Sequence, residues 1–252
     1  MDIYFELMQY PVFPANKLME YYSSMRTARQ VLTRLVQSGR VERIRKDLYT
    51  CISGETLDPV ADRFQIASAI TPTSYVTHHT AMEYHGITNQ VYYDVYVASV
   101  TKFSPVYFQG YTYHYVSSRF ADGIIEPVFG GGVKVTDLER TVIDCIKDFE
   151  KVGGLEELRD NLTSIQSLKE DLLLKYLNLY DNQFLYQKTG WLLQQENAHL
   201  KLSDDFFRIC QERIGKSKRY LAKEHDKGLY NATWRLILPN NRNEEDYDAT
   251  IQ

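Results

Sequence analysis

The stretch Ser23-Ser24-Met25-Arg26-Thr27-Ala28-Arg29-Gln30-Val31-Leu32-Thr33-Arg34-Leu35-Val36-Gln37-Ser38-Gly39-Arg40-Val41-Glu42-Arg43-Ile44-Arg45-Lys46-Asp47-Leu48-Tyr49-Thr50-Cys51 decides the fold of the first part of this chain. Ala28, Val31, Leu32, Leu35 and Val36 recur at i, i+3, i+4, i+7 and i+8, the apolar stripe of one helix face. Ser23 or Ser24 suits the N-cap and Gly39 the exit, which predicts a helix from about Met25 to Ser38. Its opposite face holds Arg26, Gln30, Thr33 and Gln37, flanked by Arg29 and Arg34. Val41–Ile44 and Leu48–Cys51 then read as two strands around the basic turn Arg45-Lys46-Asp47. Upstream, residues 2–9 suit a short helix stopped by Pro11, and Pro14 fits the first turn of a second helix reaching Tyr22. Three helices and a basic hairpin make residues 1–53 a winged helix-turn-helix.

The charge distribution agrees with that reading. The 252 residues carry a net charge of −4, which taken alone argues against a nucleic-acid partner. Residues 1–51, however, hold eight Lys/Arg against five Asp/Glu, and the remainder 21 against 28. Between residues 24 and 46 stand seven basic side chains and one acid, Glu42. A local basic stripe on an acidic body is the footprint of a small nucleic-acid-binding module. The major groove admits one helix, and base edges are read by long polar side chains. Arg26, Gln30 and Thr33 are therefore the expected base readers, and Arg29, Arg34, Arg43, Arg45 and Lys46 the expected phosphate contacts.

Composition sets the class of the rest. With 44% hydrophobic and 25% charged residues, the chain is ordinary globular protein. No run approaches a membrane span, and the acidic start MDIYFELMQY is not a secretory signal. Cys51, Cys145 and Cys210 are odd in number and widely spaced, as expected of unpaired thiols in a reducing cytoplasm. Ser53-Gly54-Glu55-Thr56-Leu57-Asp58-Pro59 is a turn-rich joint. Residues 56–239 read as a larger α+β domain, and 240–252 as a polar, disordered tail. Within that domain, helices are expected at 62–69 and 79–84, and strands at 74–77, 91–100 and 111–116. Thr136-Asp137-Leu138-Glu139 reads as a capping box opening a helix to Lys147. Helices at 154–162, 168–180, 183–196 and 203–213 follow, then a strand pair at 218–225 and 230–238 around Asp226-Lys227-Gly228. A body from about Thr56 onward is expected to work without the preceding module.

Other constellations read as structural. His78, His79 and His85 lack a spacing that turns three ligands together, so no metal site is expected. Gly130-Gly131-Gly132 precedes a strand and does not open a helix, which argues against a phosphate cradle. Glu139 and Asp144 point about 140° apart on a helix, a poor pair of nuclease carboxylates; Glu139 suits the capping box and Arg140 an ion pair. The twenty tyrosines fall mostly in strand-like segments and suit packing better than base stacking. No catalytic motif and no cofactor site is found. Two alternatives are a nuclease targeted by the winged helix and an interaction protein whose winged helix binds protein.

Five stretches in order resemble the AbiEi family, the antitoxins of type IV toxin–antitoxin systems linked to abortive phage infection. They are Leu32–Ile44 with Leu48-Tyr49; Ser74–Ile87, containing His78-His79-Thr80-Ala81-Met82 and His85-Gly86; and Val135–Asp144 with Gly153-Gly154. The last two are Gln187-Lys188-Thr189-Gly190-Trp191-Leu192-Leu193 and Trp234-Arg235-Leu236-Ile237-Leu238-Pro239. Asp47 replaces the family's usual wing glycine, and Met82 its usual leucine. The resemblance implies binding of double-stranded operator DNA with repression of the protein's own operon. It also implies counteraction of a nucleotidyltransferase-like toxin by the C-terminal body, without a stable complex.

Overall fold

A computed structural model describes residues 2–88, 90–222 and 228–239. The fold is mixed α+β, and the chain divides into two units, Met1–Asp137 and Leu138–Gln252.

The first unit opens with α1 (Ile3–Leu7), capped by the Asp2 carboxylate on the Tyr4 amide. Where a second helix from Pro14 to Tyr22 is expected, the chain forms strand β1 (Phe13–Pro14) and then a 3-10 helix, Ala15–Glu20. The reason is visible in the pairing: Phe13 lies opposite Tyr49 and Pro14 opposite Leu48, so Pro14 is spent on an edge strand, where a missing N–H costs nothing. The helix α2 (Met25–Gln37) follows, with Ser24 Oγ accepting from the Thr27 amide. Strands β2 (Val41–Arg45) and β3 (Leu48–Cys51) form the hairpin. A bulge between Arg43 and Arg45 precedes the turn, and Asp47 takes a left-handed φ of 61°, the conformation for which glycine is usual and Asp tolerable.

Tyr4, Leu7, Phe13, Leu18, Ala28, Leu32, Leu35 and Val41 share one apolar cluster, so the module has its own core. Val36, placed on the core stripe by periodicity, is instead 38% exposed. The joint 53–59 is a tight turn in which the Leu57 amide donates to the Ser53 carbonyl, and an isolated bridge ties Ile52 to Pro59.

The rest of this unit is built on a six-stranded sheet. Helix α3 (Arg63–Ala69) carries a capping box of Asp62 and Gln65. Then come β4 (Tyr75–Val76), α4 (His78–Tyr84), β5 (Asp94–Ser99), β6 (Val106–Phe108), β7 (Tyr111–Ser117), β8 (Ile124–Ile125) and β9 (Val135–Thr136). The order across the sheet is β6-β7-β5-β4-β9-β8. Strand β5 starts three residues later than the Tyr/Val pattern suggests, and the short edge strands β6 and β8 are too brief to show periodicity. Ile44 and Leu48 of the hairpin belong to this sheet's core, with Ala61, Ile66, Val76, Val97, Val106 and Tyr113. The hairpin thus joins two apolar clusters.

The second unit comprises α5 (Leu138–Lys147), a 3-10 turn Phe149–Val152, α6 (Leu155–Thr163), α7 (Glu170–Tyr180), α8 (Gln183–Gln195), α9 (Asn197–Leu200) and α10 (Asp204–Arg213). The expected capping box at Thr136 and Glu139 is out of register. Thr136 lies in β9, the helix begins at Leu138, and the Glu139 carboxylate accepts from the Lys169 amide. A small sheet of β10 (Arg219–Tyr220), β11 (Leu229–Asn231) and β12 (Leu236–Leu238) closes the described chain, in the order β10-β12-β11. The expected strand pair is therefore three short strands. Its predicted turn at 226–227 and the polar tail 240–252 lie outside the described residues.

Two of the stretches quoted above meet in this unit. The Trp234 ring lies against α8, where a Cβ on Gly190 would fall 2.1 Å from a ring carbon. The Gln187 side-chain amide donates to the Trp234 carbonyl at 3.0 Å, and the indole N–H donates to Gln194 at 2.7 Å. Only glycine at 190 lets the helix backbone come this close.

Candidate nucleic-acid interface

Helix α2 rests on Ala28, Leu32 and Leu35, all buried, and packs against the 3-10 helix Ala15–Glu20 and β2. Burying that stripe fixes the rotation of the helix, and the opposite side chains follow from geometry. At about 100° per residue, Arg26, Gln30, Thr33 and Gln37 fall within an arc of roughly 60°, with Arg29 and Arg34 on either side. All six are exposed. Arg26, Arg29 and Arg34 form no ion pair among the described residues, in contrast to Arg40, which is bound to Asp2 at 2.9 Å. Three unneutralised guanidinium groups on one helix are a strong local attraction for phosphate. The Thr33 hydroxyl donates to the Arg29 carbonyl at 2.8 Å, so toward a base it offers a lone pair and a methyl group and no donor.

The basic hairpin turn is less free than its sequence suggests. Arg45 is half-buried, with its guanidinium 3.4 Å from the Ile70 carbonyl. Arg43 Nε donates to the Arg45 carbonyl, and Glu42 accepts from Gln109 at 2.7 Å. The Ala15 amide holds the turn from the other side by donating to the Asp47 carbonyl. Arg43 and Lys46 remain exposed. The turn is a braced edge carrying two accessible cations. Sequence reasoning could not have found the bracing, because Ile70 and Gln109 lie 25 and 67 residues away from their partners.

His78, His79, Glu139, Arg140 and Asp144 are buried, and His85 is half-buried. Arg140 Nε donates to Asp144 at 2.9 Å, and Tyr180 donates to the same carboxylate while accepting from Arg140 at 3.3 Å. Burial and the Asp144 charge push the Tyr180 hydroxyl well above the ordinary phenol range. Lys188 reaches the last carbonyls of α5, Lys147 at 3.0 Å and Ile146 at 3.5 Å. That neutralises a helix C-terminus, though burial lowers the Lys188 ammonium to about 8. The three histidines do not converge. His85 Nε2 meets the Thr136 carbonyl at 2.7 Å and His78 Nδ1 the Thr77 hydroxyl at 3.1 Å. His79 is buried edge-on to Tyr92, beside an Arg63–Glu83 ion pair of 3.1 Å. Burial, with Arg63 assisting, lowers its imidazole to about 4. Among the described residues no three His, Cys, Asp or Glu side chains are grouped as metal ligands. Nor is any described helix long and apolar enough to cross a membrane.

No family model matches this chain, and no curated protein matches it. Among solved structures it is similar to the crystal structure of the Rv2827c protein from Mycobacterium tuberculosis. The two are 10% identical with a TM-score of 0.63, over 94% of this chain and 89% of that one. At that identity the likeness concerns the fold.

Proposed function

We propose that this protein is a DNA-binding autorepressor and antitoxin of a type IV toxin–antitoxin system. In this reading residues 1–53 form a winged helix-turn-helix whose α2 enters the major groove of operator DNA. Arg26, Gln30 and Thr33 face base edges, while Arg29, Arg34, Arg43 and Lys46 meet phosphates, and Arg45 braces the turn. The single observation that carries the DNA half is the exposed α2 face, with three unpaired arginines aligned over a buried apolar stripe. The antitoxin half rests on the resemblance of five stretches to the AbiEi family. It is supported by the packing of Gly190 against Trp234, which gives two of those stretches a shared physical reason.

The carboxylates that a nuclease reading would use are interior: Asp144 is paired with Arg140, and Glu139 accepts from the Lys169 amide. On this reading the protein performs no chemistry of its own and works in the cytoplasm. Co-expression with a nucleotidyltransferase-like toxin encoded beside it tests the antitoxin half. Growth should be restored by the wild type and by an Arg29→Ala/Arg34→Ala variant whose operator binding is weakened. Failure of the folded wild type to restore growth would remove the antitoxin assignment.

A further inference from the structure

The segment Arg213-Ile214-Gly215-Lys216-Ser217-Lys218-Arg219-Tyr220 carries four cations and no acid. It leads into the small C-terminal sheet. Lys216, Lys218 and Arg219 are exposed and take part in no ion pair among the described residues. In that sheet Tyr220 of β10 and Tyr230 of β11 both lie opposite Ile237 of the central strand β12. Residues paired across strands point to the same face, so Tyr220, Ile237 and Tyr230 form one row. Strand spacing sets the two tyrosines about 10 Å apart. They are 55% and 46% exposed, so both side chains reach solvent. Lys218, just before β10, places its ammonium 4.6 Å from the centre of the Tyr230 ring.

We propose that this face is a binding site for single-stranded nucleic acid, separate from the α2 surface and independent of the operator reading. The Tyr220 ring and the face of Tyr230 away from Lys218 offer stacking surfaces for unpaired bases, and the lysines supply phosphate contacts beside them. A duplex keeps its base faces stacked on one another, so it could use the lysines but not the tyrosines.

Fluorescence anisotropy with a labelled single strand of about 12 nucleotides, as RNA and as DNA, tests this against the duplex of the same sequence. The full chain carrying Arg29→Ala/Arg34→Ala is used so that α2 contributes little. Single strands should bind in low salt. Tyr220→Ala and Tyr230→Ala should each weaken binding by roughly 5- to 100-fold, while Tyr220→Phe and Tyr230→Phe retain it. Tighter binding of RNA would mean that the ribose hydroxyl is read, and equal binding that only bases and phosphates are; either outcome supports the site. Lys216→Ala and Lys218→Ala leave the rings in place and should each reduce the salt dependence by about 0.7 in slope. The proposal is overturned by absence of single-strand binding, or by alanine variants of the tyrosines that fold and bind as before. It is equally overturned by tyrosine variants that weaken duplex and single strand alike, or by lysine variants with an unchanged salt slope.

Discussion

Gly190→Ala asks for one methyl group where none fits. An added Cβ would lie 2.1, 2.2 and 2.7 Å from three carbons of the Trp234 ring, against a carbon–carbon optimum of about 3.5–4.0 Å. Either the indole or α8 must move by more than 1 Å on the order of that gap. The indole has little freedom to do so, because the ring is fully buried and its N–H donates to Gln194, while the Trp234 backbone carbonyl accepts from Gln187. Overpacking costs about 1–3 kcal/mol, and breaking the indole hydrogen bond adds about 1 kcal/mol. The gain from replacing a helical glycine returns nearly 1 kcal/mol. A net loss of about 1–3 kcal/mol is expected. The chain has two tryptophans, Trp191 and Trp234, both in the second unit, so urea unfolding followed by tryptophan fluorescence reports on that unit. Trp234→Leu opens a cavity and is destabilising alone. Combined with Gly190→Ala it should recover part of the loss, since the new methyl group enters that space, with a coupling of about 1–3 kcal/mol. A Gly190→Ala protein within about 0.5 kcal/mol of wild type would refute the close approach of Trp234 to α8.

Three further outcomes follow from other parts of the molecule. His79 is held neutral with a folded-state pKa of about 4, so the unfolded chain takes up its proton first. Stability should fall by about 2–3 kcal/mol as pH drops from roughly 6.5 to 4, and His79→Leu should remove that part of the slope in urea titrations. The raised carboxyl of neighbouring Glu83 acts with the opposite sign, so the difference between the two proteins is the quantity to measure; parallel pH profiles would contradict a buried neutral ring. Arg43→Ala and Lys46→Ala should each lower the salt slope of DNA binding by about 0.9, with Arg45→Ala instead lowering the melting temperature; a change of sequence preference in Arg45→Ala would make the turn a base reader. A 56–252 fragment lacks Ile44 and Leu48 and should lose about 3–6 kcal/mol from the first unit's sheet, seen as rapid proteolysis; protease resistance equal to full length would show that the hairpin is dispensable.

How much of this was legible in the sequence depended on the range of the causes. Helix α2 and the longer helices of the second unit show in a 3.6-residue pattern because burial of one face is a local signature; the four-residue α9 does not. The boundaries of α7, α8 and α10 fall within two residues of those expected. Strands β1, β6 and β8 show no such pattern, since a two- or three-residue edge strand is defined by its partner. Pro14, expected to open a helix, lies in β1 for the same reason, because β3 offered its edge; the helix that follows is the 3-10 turn Ala15–Glu20. The rotation of α2 placed all five of its interface candidates outward, whereas the fate of Arg45 turned on a carbonyl in another element. Tyr220 and Tyr230 were indistinguishable from packing tyrosines until the registers of β10 and β11 against β12 put them in one row.

The central claim is that α2 reads operator DNA, and a binding titration on the promoter DNA of the protein's own gene tests it most directly. Wild type and the Gln30→Ala, Arg26→Ala and Arg29→Ala/Arg34→Ala proteins would be compared on that DNA and on a scrambled duplex, each across a salt series. Gln30→Ala and Arg26→Ala should lose about 1–3 kcal/mol on the operator and little on the scrambled duplex. Arg29→Ala/Arg34→Ala should weaken both equally and reduce the salt slope by about 1.8. Wild-type affinity for the operator in all three folded variants would remove α2 from the interface, and the account of this protein as a DNA-binding repressor would fall with it.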